Sequence, residues 1–215
     1  MEGNEPKGIF ITFEGGDGCG KTTQSATLAD AVQATGREVV RLREPGGTAI
    51  SEKIRAILLD PANSEMCDQC ELLLYEAARA QLVGEVIAPA LERGAVVICD
   101  RFFDSTFAYQ ASARGIPEET VLTANRLGSC GVSPTRTLVF DIDPQVGFER
   151  ARKRGEADRL EGEGLEFQKL VRAGYLRLAE LESERVRVID ASGTIEEVRA
   201  LVFDAVSDLG LGIGG

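Results

Sequence analysis

The 215-residue chain sets 24 Lys and Arg against 35 Asp and Glu, with no histidine, for a formal net charge of −11. A negative overall field repels phosphate backbones and anionic leaflets, which argues against nonspecific nucleic-acid or membrane-surface binding, so local basic clusters must have local targets. Apolar residues make up 43% and are spread along the whole length, and a single α/β domain over residues 1–215 is expected.

The opening MEGNEPKG lacks the apolar stretch of a secretory signal, and the apolar runs fall short of the roughly 18 residues a membrane span needs; the expected compartment is the cytoplasm. GIFITF (8–13) reads as a strand entering a glycine-rich turn, and TTQSATLADAVQATG (22–36) as the helix after it. EVVRLR (38–43) is a second strand, and TAISEKIRAILLD (48–60) a helix with Ile50, Ile54, Ile57 and Leu58 on one side. Cys67 and Cys70 form a CxxC pair. Without a second CxxC or any histidine to complete a zinc tetrahedron, the pair reads as a loop entering a helix.

A long helix is predicted over 70–94, kinked near Pro89 and stopped by Gly94, ahead of the strand AVVIC (95–99), whose unbroken apolar run implies burial on both faces. Helical patterns at about 105–113 and 117–129 lead to the strand TLVFDI (137–142). VRVID (186–190) is the last strand, before a helix starting at TIEEV. Strands alternating with helices predict a parallel sheet covered on both faces, with ligands bound beyond the strands' carboxyl ends, after Phe13, Arg43, Cys99 and Ile142.

GGDGCGKT (15–22), between a predicted strand and helix, fits GxxxxGK[ST] through Gly15, Gly20, Lys21 and Thr22. Glycines let backbone N–H groups turn inward around phosphate oxygens, the helix N-terminus adds its positive end, Lys21 reaches the β- and γ-phosphates, and Thr22 offers a hydroxyl to Mg²⁺. Asp100, directly after the buried strand, is the candidate acid beside that metal, although an Asp100–Arg101 ion pair at a strand end would account for it equally well in isolation. The pattern alone leaves two classes open, a phosphotransferase and a nucleotide-dependent switch. A small-molecule kinase needs a second anion pocket built from arginines, and Arg43, Arg55, Arg79 and Arg101 all fall near the sheet's carboxyl edge.

FEGGDGCGKTTQ, REPGGT, LLLYEAARAQLV, DRFFDSTFAYQ and GEADRLEGEGLEFQKLVRAGYL, in this order, resemble the thymidylate kinases over nearly the whole chain. The resemblance implies a P-loop, three-layer α/β/α fold of the nucleoside monophosphate kinase type, with a five-stranded parallel sheet and a mobile lid at about 150–162. It implies ATP- and Mg²⁺-dependent phosphorylation of dTMP to dTDP for dTTP synthesis, by a cytoplasmic homodimer. It assigns ATP to Gly15, Gly16, Asp17, Gly18, Cys19, Gly20, Lys21, Thr22, Thr23 and Arg150, and the metal to Thr22 and Asp100. On the acceptor side, Asp17 would reach the sugar 3′-hydroxyl, Arg43 and Glu44 line the site, and Arg55 and Arg101 hold the monophosphate. Tyr75, where the family usually has Phe, would stack on thymine, Arg79 donate to a thymine carbonyl, Thr106 and Gln110 bond the base edge, and Tyr109 crowd the 2′ carbon. Read without the family, Tyr75 is a core side chain and Arg55 surface charge. Another pyrimidine monophosphate as acceptor, or a noncatalytic ATP-binding regulator, are the alternatives.

Members of the family with a basic residue after the loop Asp differ from those that supply it from the lid. Here that position is Gly18, so the resemblance places the catalytic charge in ERARKRGEADR (149–159), an unusual basic concentration in an acidic chain. Helical geometry puts Arg150 and Arg154 on one face with Arg152 nearly opposite. Arg154 and Arg159, flanking GEAD, are the expected catalytic lid arginines beside Lys21 and Arg101, and Gly155 the hinge. Arg152 and Lys153 read as a solvated helix end.

Overall fold

A computed structural model describes residues 8–213 apart from 153–158. β1 (Ile9–Gly15) leads through the glycine loop to α1 (Lys21–Ala34) and then β2 (Val39–Arg43). α2 (Ala49–Leu59) is capped by the Thr48 side chain, which accepts from Ser51 N, and α3 (Asp68–Leu82) follows with Cys67 at its N-cap. α3 widens into a π-helical turn at Val83–Ile87 before α4 (Ala88–Glu92). The expected irregularity at Pro89 thus lies just before it, because proline brings no N–H to the ladder and Ala88 N reaches back to Val83 O instead.

β3 (Val96–Asp100) is followed by α5 (Phe103–Thr106), which runs directly into a π-helical segment, Phe107–Ala113. α6 (Glu118–Gly128), β4 (Arg136–Asp141), α7 (Pro144–Arg152), α8 (Leu165–Leu181), β5 (Val186–Asp190) and α9 (Ile195–Ala205) complete the order. All pairings are parallel, in the order β2-β3-β1-β4-β5, which makes a five-stranded sheet with helices on both faces.

Alternation along the central strands separates two of the apolar cores. Val96 and Ile98 pack with Ile11, Phe13, Leu28 and Val202 on one face; Val97 and Cys99 pack with Phe10, Leu82, Ile87 and Phe102 on the other. In α2 the apolar side splits: Leu58 is buried, whereas Ile50 and Ile57 are 51% and 48% exposed. Thr135 ties strand β1 to its neighbour, its Oγ1 accepting from Phe10 N and its N–H bonding Phe10 O. Register sets Phe13 opposite Asp100 and Asp100 opposite Arg43, so the informative residues converge at one sheet edge. No helix among the described residues is long and apolar enough to cross a membrane.

Candidate active site

The phosphate loop is built by glycines whose conformations other residues resist. Gly15, Gly18 and Gly20 have φ of 133°, 76° and 94°. Gly20 caps α1, whose first N–H groups and dipole face the loop and make an anion cradle. Lys21 Nζ donates to the carbonyls of Gly15 at 2.9 Å and Gly16 at 2.8 Å, and approaches Cys19 Sγ at 3.5 Å. Thr22 Oγ1 donates to Asp100 Oδ2 at 2.7 Å, while Thr23 stands exposed on the next helical position. Gly18 gains a structural reason: a Cβ there would lie 2.1 Å from Gly147 O, on α7. The loop has no room for a side chain at Gly18, because α7 sits against it. Gly147, whose own Cβ would meet Asp17 O at 2.7 Å, is the matching small residue that motif reading missed.

Arg101 follows β3 with φ 72°, a strained conformation for a non-glycine residue that its neighbours over-determine. Its N–H donates to Phe13 O, and the next one, Phe102 N, donates to Glu14 Oε1 at 2.7 Å. The guanidinium then reaches Asp17 Oδ1 at 2.7 Å, Gly15 O at 3.2 Å and Tyr175 Oη at 3.3 Å. Glu14 also accepts from Ser105 Oγ at 2.6 Å and Tyr175 Oη at 2.9 Å. Burial, then the nearby Asp104 charge, raises its carboxyl to about 7. Sequence reasoning passed over Glu14, Ser105 and Tyr175; the available signal was an acid inside an otherwise apolar central strand.

The acceptor-side residues fall into two groups. Tyr75, Thr106, Tyr109, Gln110, Glu44, Arg43 and Arg55 line the same cleft as the phosphate loop. Arg43 and Arg55 each donate to Pro45 O at 2.8 Å, and Arg43 also pairs with Glu52. Arg79 stands behind this wall, 1% exposed, bonded to Glu44 at 2.9 Å, Glu76 at 2.5 Å and Thr106 Oγ1 at 3.0 Å. It reaches the cleft through Thr106, not as a lining residue. Burial raises Glu44 to about 7 against the pull of Arg79.

Among the lid arginines, Arg150 is exposed on α7, and Arg154 lies outside the described residues, as do Lys153 and the expected hinge Gly155. Arg159 is turned to the acceptor side: Nε donates to Leu58 O at 2.8 Å and Nη2 lies 2.5 Å from Glu71 Oε2. The phosphate-loop end is therefore not where its side chain rests. Among the described residues no group of three or more Cys, Asp or Glu gathers as a metal cage; Thr22 and Asp100 set two hard oxygens side by side at the anion cradle.

The arrangement is one cleft of about 290 Å³ with an anion cradle at one end, a polar-edged aromatic pocket at the other, and Arg101 between. Residues 13–202 match the family model described as thymidylate kinase. A thymidylate kinase of Pelobacter propionicus is 52% identical over 205 residues, covering 93% of this chain and 94% of its own. One from Deinococcus radiodurans is 47% identical over 206 residues, covering 95% and 98%. The crystal structure of thymidylate kinase from Ehrlichia chaffeensis superposes with a TM-score of 0.77 at 34% identity, covering 94% of this chain and 99% of that one. With motif, cleft and full-length similarity in agreement, the chain belongs to the thymidylate kinase family of phosphotransferases.

Proposed function

We propose that the chain transfers the γ-phosphoryl group of ATP to dTMP, giving dTDP and ADP. The observation that carries this is one cleft lined from Asp17–Thr23 to Tyr75, Thr106, Tyr109 and Gln110, which supports a donor at one end facing an acceptor at the other. A dTMP phosphate oxygen attacks the γ-phosphorus as the bond to the β,γ-bridging oxygen breaks, and that oxygen leaves with ADP. The attacking oxygen is already anionic, so a chain without histidine has no base to supply.

What remains is alignment of two repelling phosphates and neutralisation of spreading charge. The loop from Gly15 to Thr23 cradles the triphosphate with Lys21 at its β- and γ-groups. Thr22 and Asp100 would hold Mg²⁺, which supplies charge neutralisation on the phosphates. Arg101 and Arg55 hold the acceptor phosphate, Asp17 and Arg43 with Glu44 frame the sugar side, and Tyr75 stacks on the base. Thr106 and Gln110 meet its edge, with Arg79 supporting them, and Tyr109 excludes a 2′-hydroxyl. Arg150 and Arg154 belong to a lid over ATP, while Arg159 rests against Leu58 and Glu71 on the acceptor side. We assign the active form as a homodimer in the cytoplasm, in keeping with five unpaired cysteines.

A coupled ADP-release assay with dTMP, dUMP, UMP, CMP, AMP or no acceptor tests the reading. Turnover should be fastest with dTMP; acceptor-independent hydrolysis, or a faster rate with another monophosphate, overturns it.

A further inference from the structure

Glu71 lies outside the cleft lining, yet it touches one of the residues that read the base. It is buried at the start of α3, 1% exposed. Gln110 Nε2 donates to its Oε1 at 2.8 Å, Arg114 Nε approaches the same oxygen at 3.3 Å, and Arg114 Nη2 donates to Oε2 at 3.1 Å. Arg159 Nη2 lies 2.5 Å from Oε2. Burial alone would raise the carboxyl, but the bonds from Arg114, Gln110 and Arg159 together hold it below its ordinary value, so it is ionised.

An ionised carboxylate only accepts hydrogen bonds. A glutamine amide has a donor end and an acceptor end and can turn either way unless a neighbour decides. Glu71 decides: the NH₂ of Gln110 must face it, and the amide oxygen is left to the cleft that Gln110 lines. One turn earlier, Thr106 Oγ1 already accepts from Arg79 Nη2, so its hydroxyl proton is free to donate. The wall thus offers an acceptor beside a donor. A pyrimidine with a ring N–H beside a carbonyl oxygen, as in thymine, complements that pair. Cytosine, whose bare ring nitrogen brings no proton to the amide oxygen, opposes the acceptor.

We infer that Glu71 is a positioning residue for base selectivity: by fixing the Gln110 amide it makes the pocket reject amino-pyrimidine monophosphates without itself touching the acceptor. The inference rests on the dTMP kinase reading and deepens it.

The test is Glu71→Gln, which can donate as well as accept and so frees the Gln110 amide to turn. The ratio of kcat/KM for dTMP to that for dCMP should fall by about 10-fold or more, chiefly through KM. A merely structural role would lower both acceptors alike, so an unchanged ratio overturns the inference. In a Gln110→Leu background, Glu71→Gln should leave the ratio where Gln110→Leu put it; an equal further fall also overturns it. Should Glu71→Gln not fold, wild-type enzyme with N3-methyl-dTMP decides, since a fixed acceptor facing a methylated ring nitrogen must lose turnover and undiminished use sinks the idea. A wild type without activity on dTMP would instead overturn the proposed function itself.

Discussion

At the residue scale, Glu14 shows what it costs to hold Arg101 in place. Its carboxyl is raised from 4.5 to about 7 by burial and then by Asp104, even with Ser105, Tyr175 and Phe102 N donating to it. A carboxyl that binds its proton more tightly when folded has the opposite pH dependence from a salt-bridged one. Its contribution is full below about 4.5 and is lost as pH rises through about 7, because between those values the folded chain holds more protons than the unfolded one. Urea titrations from pH 5 to 8 should show the wild type losing up to about 3 kcal/mol from this group, with Glu14→Gln lacking that slope. Glu44 is displaced in the same direction, in part by the Glu14 charge, so the difference between the two curves reports Glu14 together with its pull on Glu44. Parallel curves would show that Glu14 does not titrate in this window.

At the element scale, acceptor recognition depends on how α8 lies against the π-helical segment that carries Tyr109 and Gln110. Gly174 makes the contact: a Cβ there would stand 2.5 Å from Ser112 Oγ, 2.7 Å from Ser112 Cβ and 3.0 Å from Ala108 Cα. Gly174→Ala must push the two apart and should cost about 1 to 3 kcal/mol, read from the denaturation midpoint. Because Ala108 adjoins Tyr109 and Gln110, KM for dTMP should rise more than KM for ATP, and equal changes would break the link between this packing and the acceptor site. This π segment was foreseen only as ordinary helix, since apolar composition does not distinguish a wider turn from a regular one. Strand and helix order was readable because periodicity reports which face is buried, and the phosphate loop because few backbones other than its glycine turn fit that spacing. The pairings of Glu14 with Phe102 and Tyr175, and of Glu71 with Gln110, were not readable. They join residues 39 to 161 positions apart, and only the folded sheet decides which meet.

At the scale of the whole molecule, the apolar side of α2 bears on assembly. Ile50, Ile54 and Ile57 recur at helical spacing, but the first and last are half exposed, and Leu73 on α3 is 65% exposed. α3 packs between α2 and α6, and α6 adds Leu122 at 42% and Leu127 at 79% exposed. Periodicity registers such a stripe without saying whether the chain's own core or another molecule covers it. In an acidic chain, exposed apolar side chains on three adjoining helices suit a second copy, which brings the same apolar surface without a charged partner to desolvate. Light scattering should give twice the 23.1 kDa chain mass for the wild type, and the Ile50→Glu, Ile57→Glu double variant should shift toward the single-chain mass. α2 carries Arg55 and α3 carries Tyr75 and Glu71, so loss of the interface should raise KM for dTMP while the α1 phosphate cradle still binds ATP. A wild type that already runs at the single-chain mass, or a dimer indifferent to both charges, would place the contact elsewhere or remove it.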